Sequence, residues 1–412
     1  MPMSPKPQYK GVKEACDLMF LHNANPHAII GRVARLCLLY RETMMGAESL
    51  TGKYEALRWG SFRHYDQAEQ YRLTHGQGSL FEQWLKESFG GELFRDYVMS
   101  ADGPVTMGHA VKAVNYLFDG LSINEMDTIF TDWLYYAWAY NGYSYNHAGV
   151  IGLSHKHIGE IFAHLPGLHY DAVLADPYAG MGDMIYALAN HYHIWPHRGE
   201  IMLTEIDRGA MELAAIRFLM QGKVVNFNQG SFTYGYMESP KLMEAWKEKA
   251  DYVASRPPFL HIEPYTQRGD GFDATPQSAW ITEVFGKKVA VRTWMACLIA
   301  QVNILKHGGY GVIVLASGAL GIISQDHTYD RVREWLFEQC DVQYVVELDQ
   351  MEFQPAYRNG YRAAAVIYQK NPGCQNGVTF INQEGVRRWV NPDDLRPGHN
   401  LWPRLYTNDG KY

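Results

Sequence analysis

The sequence predicts an α/β protein in which a helical domain precedes a doubly wound, mostly parallel sheet of seven strands. Three observations predict it. Up to about residue 150 the apolar residues recur at helical spacing, with no strand-like run. Beyond that point short apolar runs alternate with helical stretches. The first of those runs ends in Asp176 and a turn of small residues. Alternation of this kind builds parallel strands with helices on both faces.

In the helical part, Ile29, Val33, Leu36, Cys37 and Tyr40 share one helix face. Ser79 with Glu82, and Ser122 with Glu125, have capping-box spacing, each ahead of an apolar stretch. The second stretch puts Met126, Ile129, Phe130, Trp133, Leu134 and Ala137 on a single face. Asn141 to Asn146, polar and rich in Gly and Asn, is a boundary. Strands are expected at Asp171–Ala175, Ile201–Glu205, Val224–Asn228, Asp251–Ser255, Tyr310–Ala316, Val342–Leu348 and Ala363–Gln369. Between Lys288 and Lys306, residues Val291, Trp294, Met295, Leu298, Ile299, Val302 and Leu305 trace a helical stripe. After Lys370 the chain is rich in Asn, Pro and Gly and reads as irregular and packed on the surface. The expected domains are a helical one at 1–150, a sheet-containing one at 151–370 and an extension at 371–412 packed on it.

Composition narrows the function. The 412 residues are 47% hydrophobic, enough for two or three domains with sizeable cores, and the formal net charge is −7. That balance weighs against a non-specific DNA coat, which needs many phosphate contacts, but not against a local basic face. Lys287, Lys288 and Arg292 read as a solvated helix start that could also line a nucleic-acid channel. The five cysteines have no CxxC or zinc spacing, and His155 and His157 read as surface residues, so no metal site is expected. The N-terminus is polar and broken by proline, unlike a signal peptide. No apolar run approaches the ~20 residues that cross a bilayer. A reduced, cytoplasmic chain without membrane contact is the expectation.

The turn after Asp176 reads Pro177, Tyr178, Ala179, Gly180, Met181, Gly182. Its glycines let the backbone approach a ligand, and the helix N-terminus beyond offers free N–H donors, as in cradles for nucleotide-like ligands. A glycine pair alone is often a tight structural corner. Glu205 closes the second expected strand, where it is placed to accept ribose hydroxyls; the alternative is a solvated strand-end carboxylate. No GxxxxGK[ST] run exists, so an ATP phosphate loop is not supported.

DPYAGMGDMIYALA, LTEIDRGAMELAAIRFLMQG and YVASRPPF, in that order, resemble the cofactor and catalytic motifs of the amino-group DNA methyltransferases. The modification subunits of type I restriction–modification systems look nearest. FTDWLYYAWAYNG with GLSHKHIGEIFAHL, HGGYGVIVLASGAL, and VREWLFEQCDVQYVVELDQMEFQP with RAAAVIYQK resemble further segments of that family, so the likeness covers residues 125–370. It implies a Rossmann-like, S-adenosylmethionine-dependent N6-adenine methyltransferase domain behind a helical domain. It also implies site residues. Asp176, Gly180 and Gly182, with Pro177, Tyr178 and Ala179 in the same turn, would surround the methionine part of S-adenosylmethionine. Glu205 would hold the ribose and Ile206 would pack on the adenine. Ser154 would lie near the cofactor carboxylate, with His155 replacing the family's proline. Ser231 stands where relatives carry an acidic contact to the adenine amine.

The resemblance makes Arg256, Pro257, Pro258 and Phe259 the catalytic motif, RPPF in place of NPPF. In the family, an Asn or Asp oxygen and a backbone carbonyl accept from the target amine and orient its lone pair. The prolines fix the turn, and the aromatic ring stacks on a flipped base. Arg256 is donor-only and charged, so it cannot supply that acceptor. It would also face the cofactor's sulfonium: like charges ~5 Å apart at an effective dielectric of ~20 repel by roughly 3 kcal/mol, about two powers of ten. Moving the frame so that Ser255 is the acceptor needs an extra residue in a tight turn. Arg256 turned outward onto a phosphate would leave the backbone carbonyl to orient the amine. Alternatively, the Pro-Pro-Phe run is only a buried loop corner.

Three functions follow. The first is methyl transfer to the N6 amine of a flipped DNA adenine, impaired by Arg256. The second is a catalytically inactive module of this fold that binds DNA or a protein partner, in phage–host defence or its evasion. The third is transfer to an amine of RNA or protein. The chain shows no dedicated target-recognition domain, so a separate specificity subunit is an expected partner, as in the resembling systems.

Overall fold

The computed structural model describes residues 10–19, 26–75, 78–89, 104–140, 155–193, 198–205, 208–222, 232–234, 244–257, 276–286, 292–321, 327–348, 362–395 and 400–407. The chain divides into two compact units, Met1–His147 with Asp207–Tyr234, and Ala148–Ile206 with Gly235–Tyr412.

In the first unit, helices at Pro26–Met44 and Ile123–Tyr140 bury the stripes that their spacing predicts, and Val33, Leu36, Cys37, Phe130 and Trp133 are fully buried. The capping residues engage, though not as full reciprocal boxes. Glu82 N–H donates to Ser79 Oγ at 3.2 Å, and the Glu82 carboxylate accepts the Gly78 N–H at 2.6 Å. The Glu125 carboxylate accepts both the N–H and the hydroxyl of Ser122, at 2.9 and 2.6 Å. The helix Arg208–Met220 belongs to this unit through Arg35, whose guanidinium donates to both oxygens of Glu212, Nη2 to Oε2 at 2.8 Å. The boundary expected at 141–146 lies outside the described residues.

The described strands are β1 (Leu174–Asp176), β2 (Ile201–Glu205), β3 (Phe232–Tyr234), β4 (Ala250–Ser255), β5 (Leu305–Ala316), β6 (Cys340–Leu348), β7 (Ala363–Lys370), β8 (Val378–Ile381) and β9 (Arg387–Val390). Their order across the sheet is β3-β2-β1-β4-β5-β7-β6-β8-β9. The first seven are the doubly wound sheet that the sequence predicts, with one difference. The expected strand Val224–Asn228 lies outside the described residues, and the third described strand is Phe232–Tyr234. Pairing is parallel from β2 through β1 and β4 to β5, and β7 runs antiparallel to both β5 and β6. Ala175, Met202, Val253, Ile313, Val345 and Val366 pack in one core with Met295, Leu298, Ile299 and Val302 of the helix Thr293–Ile304. The stripe that predicts that helix is therefore its buried face, and Leu305 already opens β5.

The tail differs from its expectation. It is not irregular throughout: β8 pairs parallel with β6, and β9 pairs antiparallel with β8. Side chains pin it. Glu347, with a fully buried side chain, accepts from Arg404 Nε at 2.7 and 3.0 Å, and Arg404 Nη2 donates to Gln383 Oε1 at 2.7 Å. Asp341 accepts from the backbone N–H and the Nδ2 of Asn376, at 3.0 and 2.9 Å.

Breaking a buried pair strands the remaining charge, so Arg404→Ala is expected to lower unfolding free energy by about 3 kcal/mol in urea titration. Adding Glu347→Gln should recover part of that loss. An unchanged midpoint in Arg404→Ala would mean that the tail is held by other contacts.

Candidate cofactor and acceptor site

Strand order reverses beside β1: β2 lies on one side, β4 and β5 on the other. Ligands of doubly wound sheets bind at the carboxyl ends of the strands at such a reversal. The register Ala175↔Val253 brings the end of β1 beside the end of β4, so Asp176 meets Ser255. Asp176 Oδ1 accepts the Ser255 hydroxyl at 2.5 Å and the Tyr178 N–H at 2.9 Å. The second contact turns the chain immediately after the strand, as Asp side chains do in Asx-turns.

The turn is also fastened to β2. Thr204 Oγ1 donates to the Pro177 carbonyl at 2.7 Å, Ala179 N–H donates to the Thr204 carbonyl at 3.0 Å, and Gly180 N–H donates to Glu205 Oε2 at 2.8 Å. Gly180 and Gly182 have φ of +54° and +75°, the left-handed region where a side chain is strained. Gly182 then caps the helix Asp183–His191, whose first residue carries a carboxylate at the positive end of the helix dipole.

Pro177, Tyr178, Ala179 and Gly182 are buried, while Gly180 and Glu205 are partly open to solvent. Asp176 is 1% exposed. Burial pushes its carboxyl up to about 7, and Glu205 and Asp183 push the same way, against the hydrogen bonds from Ser255 and Tyr178. Behind it, burial holds the Cys297 thiol well above its ordinary value, so Cys297 is not a thiolate nucleophile.

Arg256 follows β4 directly. It is 7% exposed, and its Nη2 lies 3.7 Å from Asp183 Oδ2, with side chains 6% and 7% exposed. At that distance the contact is a charge pair and not a hydrogen bond. The guanidinium is turned inward, onto the helix after the glycine turn, in contrast to the outward, phosphate-facing alternative. Ser255 is fully buried and donates its hydroxyl to Asp176.

Sequence reasoning singled out Asp176, Pro177, Tyr178, Ala179, Gly180, Gly182, Glu205, Arg256 and Pro257, and the structure brings these to one end of the sheet. Ser154, Ile206, Ser231, Pro258 and Phe259 lie outside the described residues, as do Lys287 and Lys288. Three participants were missed: Ser255 as the partner of Asp176, Thr204 as a brace of the turn, and Asp183 as the partner of Arg256. The adjacency of β1 and β4 is the signal that could have found the first. Among the described residues no group of His, Cys, Asp or Glu could hold a metal ion, and no helix is long and apolar enough to cross a membrane.

Residues 152–396 match the sequence profile of the N-6 DNA methylases. No curated protein sequence matches the chain. Among solved structures, the chain is similar to the methyltransferase subunit of a type I restriction–modification system from Streptococcus thermophilus. They share 15% identity and a TM-score of 0.62, over 91% of this chain and 86% of the other. It is likewise similar to a modification subunit ascribed to a type I restriction enzyme of Vibrio vulnificus YJ016, at 15% identity and a TM-score of 0.61, over 95% and 87% of the two chains. A chain from a study of complex assembly in the type I system matches at 16% identity and a TM-score of 0.62, over 90% and 75%. These likenesses show a shared fold, a Rossmann-like sheet domain behind a helical one.

Asp176 gives the fold a pH signature. Its folded carboxyl titrates near 7, against 3.8 as its ordinary value. Between these values the folded chain keeps a proton that the unfolded chain loses, so its contribution to stability falls as pH rises. Asn keeps the acceptor oxygen without the charge. Asp176→Asn is therefore expected to raise stability at pH 8 by about 2–4 kcal/mol, with the gain shrinking toward pH 4. Melting curves at both pH values check this, and a gain equal at both would contradict it.

Proposed function

The chain belongs to the N-6 DNA methylase family, and from that premise we propose that it binds S-adenosylmethionine and acts on the N6 amine of a flipped DNA adenine, with transfer impaired by Arg256. The observation that carries this reading is the Asp176 turn, fastened to both neighbouring strands and closed by Glu205 on Gly180.

The donor set suits such a ligand. The cofactor is a cation with a ribose diol, and the crevice offers the carboxylates of Asp176, Asp183 and Glu205 with the backbone of a glycine turn. In this reading Glu205 accepts from the ribose, and the Asp176 turn holds the methionine part with Pro177, Tyr178, Ala179, Gly180 and Gly182. Ile206, Ser154 and Ser231 complete the contacts. Bound S-adenosylmethionine supplies the electrophilic methyl group. In this reading Pro257, Pro258 and Phe259 would supply the rigid turn and the ring on which a base stacks. Orientation of the amine then falls to a backbone carbonyl alone, because Arg256 has no lone pair to offer.

In this reading residues 1–150 form the helical domain, 151–370 the methyltransferase domain, and 371–412 an extension packed on it. A specificity subunit is the partner that reads the DNA sequence. The free cysteines fit a reducing, cytoplasmic setting.

The buried Arg256–Asp183 pair favours a second reading, in which the module binds DNA or a protein partner without methylating. The two readings separate in nucleoside mass spectrometry of DNA from methylation-deficient bacteria. If Arg256 limits transfer, Arg256→Asn is expected to raise N6-methyladenine by roughly tenfold or more over the unchanged chain. No rise, with the protein folded, would favour the binding module. By calorimetry, Glu205→Ala is expected to weaken S-adenosylmethionine binding about tenfold or more, the loss of charged hydrogen bonds to the ribose. Unchanged affinity would remove Glu205 from the site.

A further inference from the structure

We propose that Asp183 is a specificity-determining residue whose charge lets a cationic ligand bind beside Arg256, so that the pair sets the site's preference between S-adenosylmethionine and its neutral product, S-adenosylhomocysteine. The inference rests on the reading that the crevice holds an S-adenosyl ligand.

A guanidinium exposed by only 6% cannot be screened by bulk water, so its charge acts on whatever enters the crevice. Alone, it would oppose a sulfonium. Asp183 changes that balance. It stands at the first helical position after Gly182, where the helix dipole favours a carboxylate, and its oxygen is 3.7 Å from the guanidinium. Its field also reaches the glycine turn, because Asp183 is among the charges that push up the carboxyl of Asp176. Among the described residues the site thus carries the carboxylates of Asp183 and Glu205, with Asp176 partly protonated near neutral pH, beside the guanidinium of Arg256. With Asp183 ionised, a cationic ligand meets a paired arginine and an acidic surround. Without it, the arginine's charge faces the ligand.

The two ligands differ by one methyl group and one positive charge, so the ratio of their affinities isolates charge from shape. Calorimetry on the full chain, with each ligand separately, gives that ratio without relying on turnover. Asp183→Asn is expected to shift the ratio by about tenfold or more toward S-adenosylhomocysteine. Arg256→Asn should shift it the opposite way, toward S-adenosylmethionine, which keeps the inference testable if the first variant does not fold. The double variant should return to within roughly threefold of the unchanged chain, since the two charges cancel. If both ligands bind and the ratio stays constant across the variants, the charge role is overturned while the cofactor reading stands. If neither ligand binds the unchanged chain, the cofactor reading fails and the inference fails with it.

Discussion

The Asp176 carboxylate accepts the Ser255 hydroxyl and the Tyr178 N–H on one oxygen, and in doing so joins the end of β4 to the turn leaving β1. The turn at this end of the sheet is built on that junction together with its bonds to β2. The carboxylate receives the Tyr178 N–H, Thr204 receives that of Ala179, and Gly180 then reaches Glu205 on β2. A buried carboxylate costs stability, as its raised titration shows. The fold tolerates the cost at the point where a cationic ligand would repay it, and a strained, polar spot in an otherwise apolar core is a mark of function.

Arg256 separates the two halves of the site. Under the proposed reading, pairing with Asp183 offsets part of the repulsion that the Arg256 guanidinium would impose on a cationic cofactor. On the acceptor side a guanidinium has no lone pair to offer, which in the proposed reading leaves the amine to a backbone carbonyl. Under the proposed reading, the chemistry of holding a ligand is kept more fully than the chemistry of orienting an amine. Its membership of the N-6 DNA methylase family describes the framework, while these residues decide how far the family's reaction survives.

Much of this was legible before any coordinates. Alternating apolar runs marked the strands, because parallel strands buried on both faces must be continuously apolar, and the glycines of the Asp176 turn marked the cradle because positive φ excludes side chains. Less legible was whatever depends on elements distant in sequence. Strands β8 and β9 are four residues each, set among Asn, Pro and Gly, and no periodicity can establish itself over so short a run. Their pairing follows from β6 offering an edge and from Arg404 neutralising Glu347. The direction of Arg256 was open for the same reason. Its sequence neighbours are two prolines and a serine, and only the packing of β4 against the turn after β1 reveals Asp183 beside it.

A crystal structure of the chain with S-adenosylmethionine tests the central claim most directly, that a working cofactor cradle survives beside an arginine held by Asp183. The account predicts the ribose on Glu205, the methionine part against the Asp176 turn, and Arg256 still paired with Asp183. A ligand bound elsewhere, or Arg256 released from Asp183 and lying in the cradle itself, would contradict it.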